Sequence, residues 1–240
     1  MINFVPETGS TNADLASRLG GGGHMPEGEW LVADRQIAGR GRQGRDWFDG
    51  SGNFMGSTVV HARFGDPAMP TLALVAGIAL QCVVAPLLTD AFRATLKWPN
   101  DVMVGGAKLA GILLERVGDT VIVGVGVNLV TAPLLPGRAT VALAYYADPP
   151  GRDAFAEALA EQFDLELQRW RDFGLAPIVR RWCAAAHPDG TPLVVEAAGE
   201  RVEGTFAGLA EDGALRLRLA DGTTRAIHAG EVTFGQADGS

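Results

Sequence analysis

Between Ala94 and Asn128 four apolar segments follow one another with no room for a helix between any two: Ala94 to Trp98, Val102 to Val104, Leu109 to Arg116 and Val121 to Asn128. Gly105-Gly106 and Gly118-Asp119 fall at two of the breaks, and such dipeptides make the tight turns of β-hairpins. A parallel pair needs a crossover of roughly a dozen residues or more. The stretch therefore predicts an antiparallel sheet and excludes a regular alternation of strand and helix.

The flanks supply the helices. Ser10-Thr11-Asn12 reads as a helix start, with Leu15, Ala16 and Leu19 on the following turns and Gly20 to Gly23 as its stop. Trp30 to Ala33 and Phe54 to Ala62 read as strands. Pro70 to Leu88 reads as a long buried helix opened by its proline; Gly77, Gln81 and Pro86 interrupt it too often for a membrane span. Asp153 to Phe173 has helical spacing, and Ala176 to Ala185 continues as a second helix. His187-Pro-Asp-Gly-Thr-Pro192 is a linker, after which short strands recur at Leu193, Val202, Ala214 and Thr223. The expected division is a body of residues 1–187 and a small all-β barrel in residues 188–240.

Within this α+β frame one loop stands out. Arg35, Arg40, Arg42 and Arg45 surround Gly39, Gly41 and Gly44, although the chain carries a net charge of −8. Like charges so close repel, and an anion with several oxygens is the usual remedy. Gly39-Arg-Gly-Arg-Gln-Gly44 matches the dinucleotide-binding pattern and follows a predicted strand. That fold needs a helix to begin at the loop, whereas Asp46-Trp-Phe-Asp-Gly-Ser-Gly-Asn53 forms turns. A P-loop ending in Gly-Lys-Ser/Thr is absent as well. Two readings stay open on chemistry alone: a glycine-jointed loop that wraps an anion, or a solvated loop whose arginines pair with nearby acids.

Only two of the 20 basic side chains are lysines, Lys97 and Lys108. An ammonium is a compact point charge and a guanidinium a planar fork, so the two differ at a phosphate. Lys97 opens Lys-Trp-Pro-Asn-Asp101, Lys108 opens Lys-Leu-Ala-Gly-Ile-Leu-Leu-Glu115, and Gly124-Val-Gly-Val-Asn128 follows. Singly, each is also explained as a turn, a strand-end charge or a strand terminator.

Together with Ser10-Thr11-Asn12 and the segment from Gln36 to Trp47, these motifs occur in the order found in biotin protein ligases, which the chain resembles over nearly its whole length. The resemblance implies a mixed, largely antiparallel sheet with helices, like the catalytic core of class II aminoacyl-tRNA synthetases, followed by an SH3-like barrel. It implies ATP, biotin and Mg²⁺ as reactants and cofactor, and a biotin carboxyl carrier protein as partner. Biotin is activated as biotinyl-5′-adenylate and passed to a carrier lysine. Ser10, Thr11, Asn12 and Gln36 are then expected at the ureido head of biotin. Arg40, Gly41 and Arg42 are expected around its carboxylate and the phosphate, and Lys108 at the acyl-phosphate junction. Lys108 and Arg42 carry the expected catalytic roles. Arg45, Lys97 and Asn100 are expected near the phosphates, Asn128 at the adenine, and Trp47 as a cover over the adenylate; the direct metal ligands are left open.

The resemblance also sets expectations for setting and partners. Nine residues precede Ser10, which leaves no room for the DNA-binding domain that makes some relatives repressors; neither DNA nor membrane is an expected partner. The N-terminus has no basic start and no apolar run, so the cytoplasm is the expected compartment. Cys82 and Cys183 are expected as reduced, buried residues, and the four histidines show no metal-ligand spacing. A homodimer is compatible with the resemblance. The rival readings are a lipoate- or octanoate-attaching enzyme, and a non-catalytic biotin sensor, against which the retained lysines and arginine loop speak.

Overall fold

The computed structural model describes residues 1–89, 91–197 and 199–235. In chain order the body comprises β1 (Ile2–Thr8), α1 (Thr11–Gly20), β2 (Trp30–Gln36), β3 (Phe54–His61), α2 (Leu72–Val84), β4 (Ala94–Lys97), β5 (Asp101–Val104), β6 (Ala107–Val117), β7 (Thr120–Val127), α3 (Arg152–Phe173) and α4 (Leu175–Ala185). The seven strands form one sheet in the order β1-β2-β3-β7-β6-β5-β4. From β2 to β4 every neighbour pair is antiparallel, as the hairpin spacing requires. β1 was not expected. Pro6 weakens its strand pattern, and proline is tolerated in a strand at a sheet edge, which β1 occupies, running parallel to β2.

The two faces of the sheet are read directly off β7. Val121, Val123, Val125 and Val127 join the main core with α2, α3 and α4. Ile122 joins a small second core with Leu15 of α1, Met25 and Val59 of β3. Successive side chains in a strand point to opposite faces, so α1 lies on one face and the helical layer on the other. The apolar helix expected from Pro70 to Leu88 is α2 with a tight turn at each end, Met69–Thr71 and Ala85–Leu87. Met69–Leu87 is long and apolar enough to cross a membrane by length and composition. Here it packs against α3, α4 and the sheet as the centre of the main core. Cys82 and Cys183 are free and half-buried rather than fully buried, and burial pushes both thiols up.

After α4 come β8 (Pro192–Ala197), β9 (Glu200–Leu209), β10 (Leu215–Arg218), β11 (Thr224–Ile227) and β12 (Glu231–Phe234). They form a five-stranded antiparallel sheet in the order β11-β10-β9-β8-β12. Among the described residues its two edge strands are not paired with each other, so the expected closure into a barrel is not seen. The sheet rests on the body through Trp98, whose indole N–H donates to the Gly213 carbonyl at 3.2 Å, and through Trp182, which packs on Phe206.

His187 sits at this junction, with ring centroids 4.2 Å from Phe206 and 5.4 Å from Phe234. Burial pushes its imidazole below the ordinary value. The unfolded chain therefore binds a proton there more readily than the folded one, and acid favours unfolding. His187 contributes fully above the ordinary imidazole pKa of about 6.5, and its contribution is lost as pH falls below that. Urea midpoints should drop between pH 7.5 and 5.5, and His187→Phe should flatten that drop; an unchanged slope would remove His187 as its source.

Candidate active site

The face of the sheet that carries α1 also carries the expected site residues. Ser10 caps α1, its side chain accepting from the Ala13 N–H at 3.5 Å. The first turn of α1 drops Thr11 and Asn12 onto β2 and β3. The Thr11 N–H donates to Gln36 Oε1 at 2.7 Å, and Thr11 Oγ1 lies 2.7 Å from Ser57 Oγ. Ser57 Oγ donates to Asn12 Oδ1 at 2.6 Å, and Asn12 Nδ2 donates to Glu115 Oε2 at 2.7 Å. An ionised carboxylate can only accept. Glu115 therefore fixes which end of the Asn12 amide faces it, and Asn12 in turn fixes the direction of the Ser57 hydroxyl. Ser10, Thr11, Asn12, Gln36 and Ser57 are all buried and uncharged, so they make the neutral lining of a candidate pocket, with preset donors and acceptors.

Next to it the floor is made of glycine. A Cβ on Gly124 would overlap the Asn12 amide, and one on Gly126 would overlap the Trp47 indole. Gly111 is paired with Gly126 across β6 and β7, and a Cβ there would come within 2.9 Å of Lys108 Nζ and 3.0 Å of Trp47. Gly124 and Gly126 lie two residues apart on one face, about 7 Å along the strand. The neutral pocket thus opens directly onto the ground beneath Trp47.

Lys108 reaches that ground because of an irregularity in β6. Strict alternation would place it on the face of Ile112, which is core. The β5–β6 register shifts between Val102 and Met103, and this bulge brings Lys108 onto the side of Gly111. Its Nζ lies 2.6 Å from Asp101 Oδ1 and 5.7 Å from the Trp47 ring. Lys97 Nζ is 3.8 Å from the other oxygen of Asp101. Between Lys97 and Asp101 the chain turns through a cis Trp98–Pro99 peptide. Burial holds Lys97 below the ordinary lysine value, with Asp101 opposing the shift and Lys108 reinforcing it.

The arginine loop is folded down over this cleft. Arg42 donates to Asn100 Oδ1 at 3.1 Å and to the Gly230 carbonyl at 3.2 Å. Burial pulls its guanidinium below the ordinary value, and Asp101 and Glu231 work against the shift. Arg45 pairs with Glu231, which also meets Arg138 at 3.3 Å. The Gly41 N–H donates to the Arg45 carbonyl at 2.6 Å, tightening the turn. Arg40 remains largely exposed, 4.0 Å from Glu115.

The structure thus gathers the expected residues into two adjoining groups. Ser10, Thr11, Asn12 and Gln36 form the neutral pocket; Arg42, Lys97, Asn100 and Lys108 surround Asp101; Trp47 roofs the boundary, with Arg40, Gly41 and Arg45 in the loop above. Asn128 stands apart at the end of β7, buried, with its amide donating to the Val141 carbonyl at 3.3 Å. Sequence reasoning assigned no role to Ser57, Glu115 or Glu231 and quoted Asp101 only as part of a motif. Single polar residues in strands give no signal of their own; a carboxylate between the only two lysines could have done so.

Comparison with known proteins gives the family and the fold. Residues 22–128 match the Biotin/lipoate A/B protein ligase family and residues 194–235 the Biotin protein ligase C terminal domain. The chain is 37% identical to the biotin–[acetyl-CoA-carboxylase] ligase of Paracoccus denitrificans, over 97% of this chain and 100% of that one. It is 35% identical to the enzyme of the same name from Mycobacterium tuberculosis, over 96% of this chain and 88% of that one. Its fold matches the biotin protein ligase of Aquifex aeolicus solved with biotin and ATP, with a TM-score of 0.85, 22% identity, and 98% and 99% of the two chains covered. The body and terminal sheet are those of a protein ligase, and the chain belongs to the biotin protein ligase family.

Among the described residues, Asp101 is the acid that pairs with both lysines. Asp101→Asn should lower the unfolding free energy by about 1–3 kcal/mol, and adding Lys97→Met should restore part of it by removing a buried, unpaired ammonium. Urea denaturation of both variants checks this; a single mutant with parental stability would show that the lysines do not need the carboxylate.

Proposed function

We propose that this protein is an ATP-dependent biotin protein ligase that makes biotinyl-5′-adenylate and transfers biotin to a lysine of a biotin carboxyl carrier protein. The observation that carries the reading is the juxtaposition of a buried neutral pocket with a cleft lined by Arg42, Lys97 and Lys108, on one glycine floor. A ureido group is neutral and suits Ser10, Thr11, Asn12 and Gln36. The other end of biotin is a carboxylate that must approach a triphosphate, and cations fixed in place offset that repulsion.

In the first step a carboxylate oxygen of biotin bonds to the α-phosphorus of ATP and the bond to pyrophosphate breaks. Lys108, held on the site face by the bulge and by Asp101, stabilises charge at the acyl-phosphate junction. Arg40, Gly41, Arg42 and Arg45 wrap the carboxylate and phosphates, with Lys97 and Asn100 alongside and Asn128 toward the adenine. Trp47 shields the mixed anhydride from water. In the second step the carrier amine attacks the acyl carbon and AMP leaves, so the ligase needs no nucleophile of its own. Among the described residues no cluster of three His, Cys, Asp or Glu side chains could hold a metal. Asp101 is already shared by the two lysines, and Glu231 is already paired with Arg45 and Arg138. The residues fit Mg²⁺ arriving on the triphosphate rather than a resident ion.

We also read residues 1–187 as the catalytic body, related to the class II synthetase core, and 188–240 as a separate C-terminal domain of SH3-like type, of which residues 236–240 lie outside the described residues. The switch from the body sheet to a second sheet sharing no strand with it supports that division. A cytoplasmic setting is part of the same reading.

Incubation with biotin, ATP, Mg²⁺ and a candidate carrier domain should raise the carrier's intact mass by one biotinyl group. Pyrophosphate exchange should depend on biotin and not on lipoate; the reverse preference would transfer the protein to the lipoate-attaching enzymes. Lys108→Ala should lower adenylate formation by about a hundredfold or more with the fold intact, and near-parental exchange would remove Lys108 from its role. Arg42→Gly should loosen the loop and release adenylate into solution, measured as modification of lysines on a bystander protein; adenylate retained as in the parent would contradict the clamp.

A further inference from the structure

Asn53 lies just after the arginine loop, at the start of β3, and is almost completely buried. Its side chain bonds the backbone of a neighbouring segment. Its carbonyl oxygen accepts from the Val130 N–H at 3.0 Å and the Thr131 N–H at 3.1 Å, and its amide donates to the Thr131 carbonyl at 2.8 Å. Three backbone groups of one segment are thus satisfied by a single side chain. The approach is close throughout: Gly52 has a φ of 81°, open to glycine, and a Cβ there would come within 2.8 Å of Val130.

The segment so held, residues 130–141, leaves β7 and returns beside the catalytic lysine. The Lys108 N–H donates to the Ala139 carbonyl at 2.8 Å, and the Val141 N–H donates to the Lys108 carbonyl at 3.0 Å. The amide of Asn128 is turned to Val141, and Arg138 reaches Glu231. One end of the segment is therefore fixed by Lys108 and Asn128; at the other, among the described residues, Asn53 is the side chain that bonds its backbone. Asn53 is itself continuous with the loop that carries Arg40, Arg42 and Trp47.

We propose that Asn53 is a positioning residue for the nucleotide half of the site: it sets the start of the 130–141 wall and ties that wall to the arginine loop. The inference rests on the function proposed above. Val130 and Thr131 are themselves exposed, so once Asn53 no longer holds their backbone groups these turn to water and the start of the segment moves away. The neutral pocket, built from α1, β2 and β3, has no contact with this segment among the hydrogen bonds that define it.

The test compares the parent, Asn53→Ala and Asn53→Asp in the full chain. Asn53→Asp keeps an acceptor for both N–H groups but replaces the donor with a carboxylate oxygen set against the Thr131 carbonyl. In biotin-dependent pyrophosphate exchange, Asn53→Ala should raise the KM for ATP about tenfold while the KM for biotin stays within about twofold, and Asn53→Asp should fall between. Brief trypsin treatment should cut after Arg138 faster in Asn53→Ala than in the parent. Equal rises in both KM values, or parental cleavage at Arg138, would overturn the proposal. If Asn53→Ala does not fold, the same two measurements on Asn53→Asp decide. If the parent shows no exchange with biotin, the functional reading falls, and the proteolysis alone decides whether Asn53 holds the segment.

Discussion

The Asp101 carboxylate lies 2.6 Å from Lys108 and 3.8 Å from Lys97, and most of the cleft follows from that sharing. Two ammonium groups in a partly buried cleft repel, and burial already weakens the hold of Lys97 on its proton. A single acid between them keeps both near one spot without cancelling either, so a net positive charge remains for an incoming anion. Lys97 and Asp101 face each other across β4 and β5, and Met103 faces Lys108 across β5 and β6. The triad is therefore built on three consecutive strands of a buried sheet, which is a stiffer support than a loop. The bulge in β6 does the remaining work, because without it the Lys108 side chain would point into the hydrophobic core.

Beside this charged cleft the neutral pocket follows a different logic. It contains no cation; its polarity is set from one end by Glu115, which can only accept, and is passed through Asn12 to Ser57. Such a chain discriminates by direction as well as by shape, since a ligand group of the wrong donor or acceptor type leaves a buried atom unpaired. The glycines at 111, 124 and 126 keep the floor between pocket and cleft flat enough for Asn12 and Trp47 to rest on it. Bulk at any of the three would push the roof away from the floor.

Much of this was legible in the sequence. The hairpin run fixed the antiparallel sheet because turn spacing is local, and the site motifs stood out because each is contiguous. What stayed hidden depends on pairing between distant strands. Alternation alone puts Lys108 on the wrong face, and only the β5–β6 register reveals the bulge. Ser57 is a serine in a strand and Glu115 a charge near a strand end, and nothing in their neighbours links either to Asn12. β1 was missed because Pro6 argues against a strand unless the strand is known to lie at an edge. The terminal residues read as a barrel from strand count and turns, whereas closure is a matter of which edges meet.

The terminal sheet, finally, is part of the seat of the arginine loop. The Gly230 carbonyl takes one N–H of Arg42, and Glu231 takes both Arg45 and Arg138. Those arginines come from two different segments of the body, one over the cleft and one beside Lys108. A single carboxylate at the start of β12 therefore sees both, and a shift of either segment alters the charge around the other. The loop closes on itself as a small hairpin, with Arg40 bridged to Asp46, the Gly41 N–H donating to the Arg45 carbonyl and the Trp47 N–H to the Gly39 carbonyl; at its tip Gln43 lies at a φ of 57°, which an L residue adopts at some strain. Contacts from outside the loop set where this hairpin rests. They come from Asn100 below and from Gly230 and Glu231 at the start of β12 above, and they hold the hairpin over the cleft.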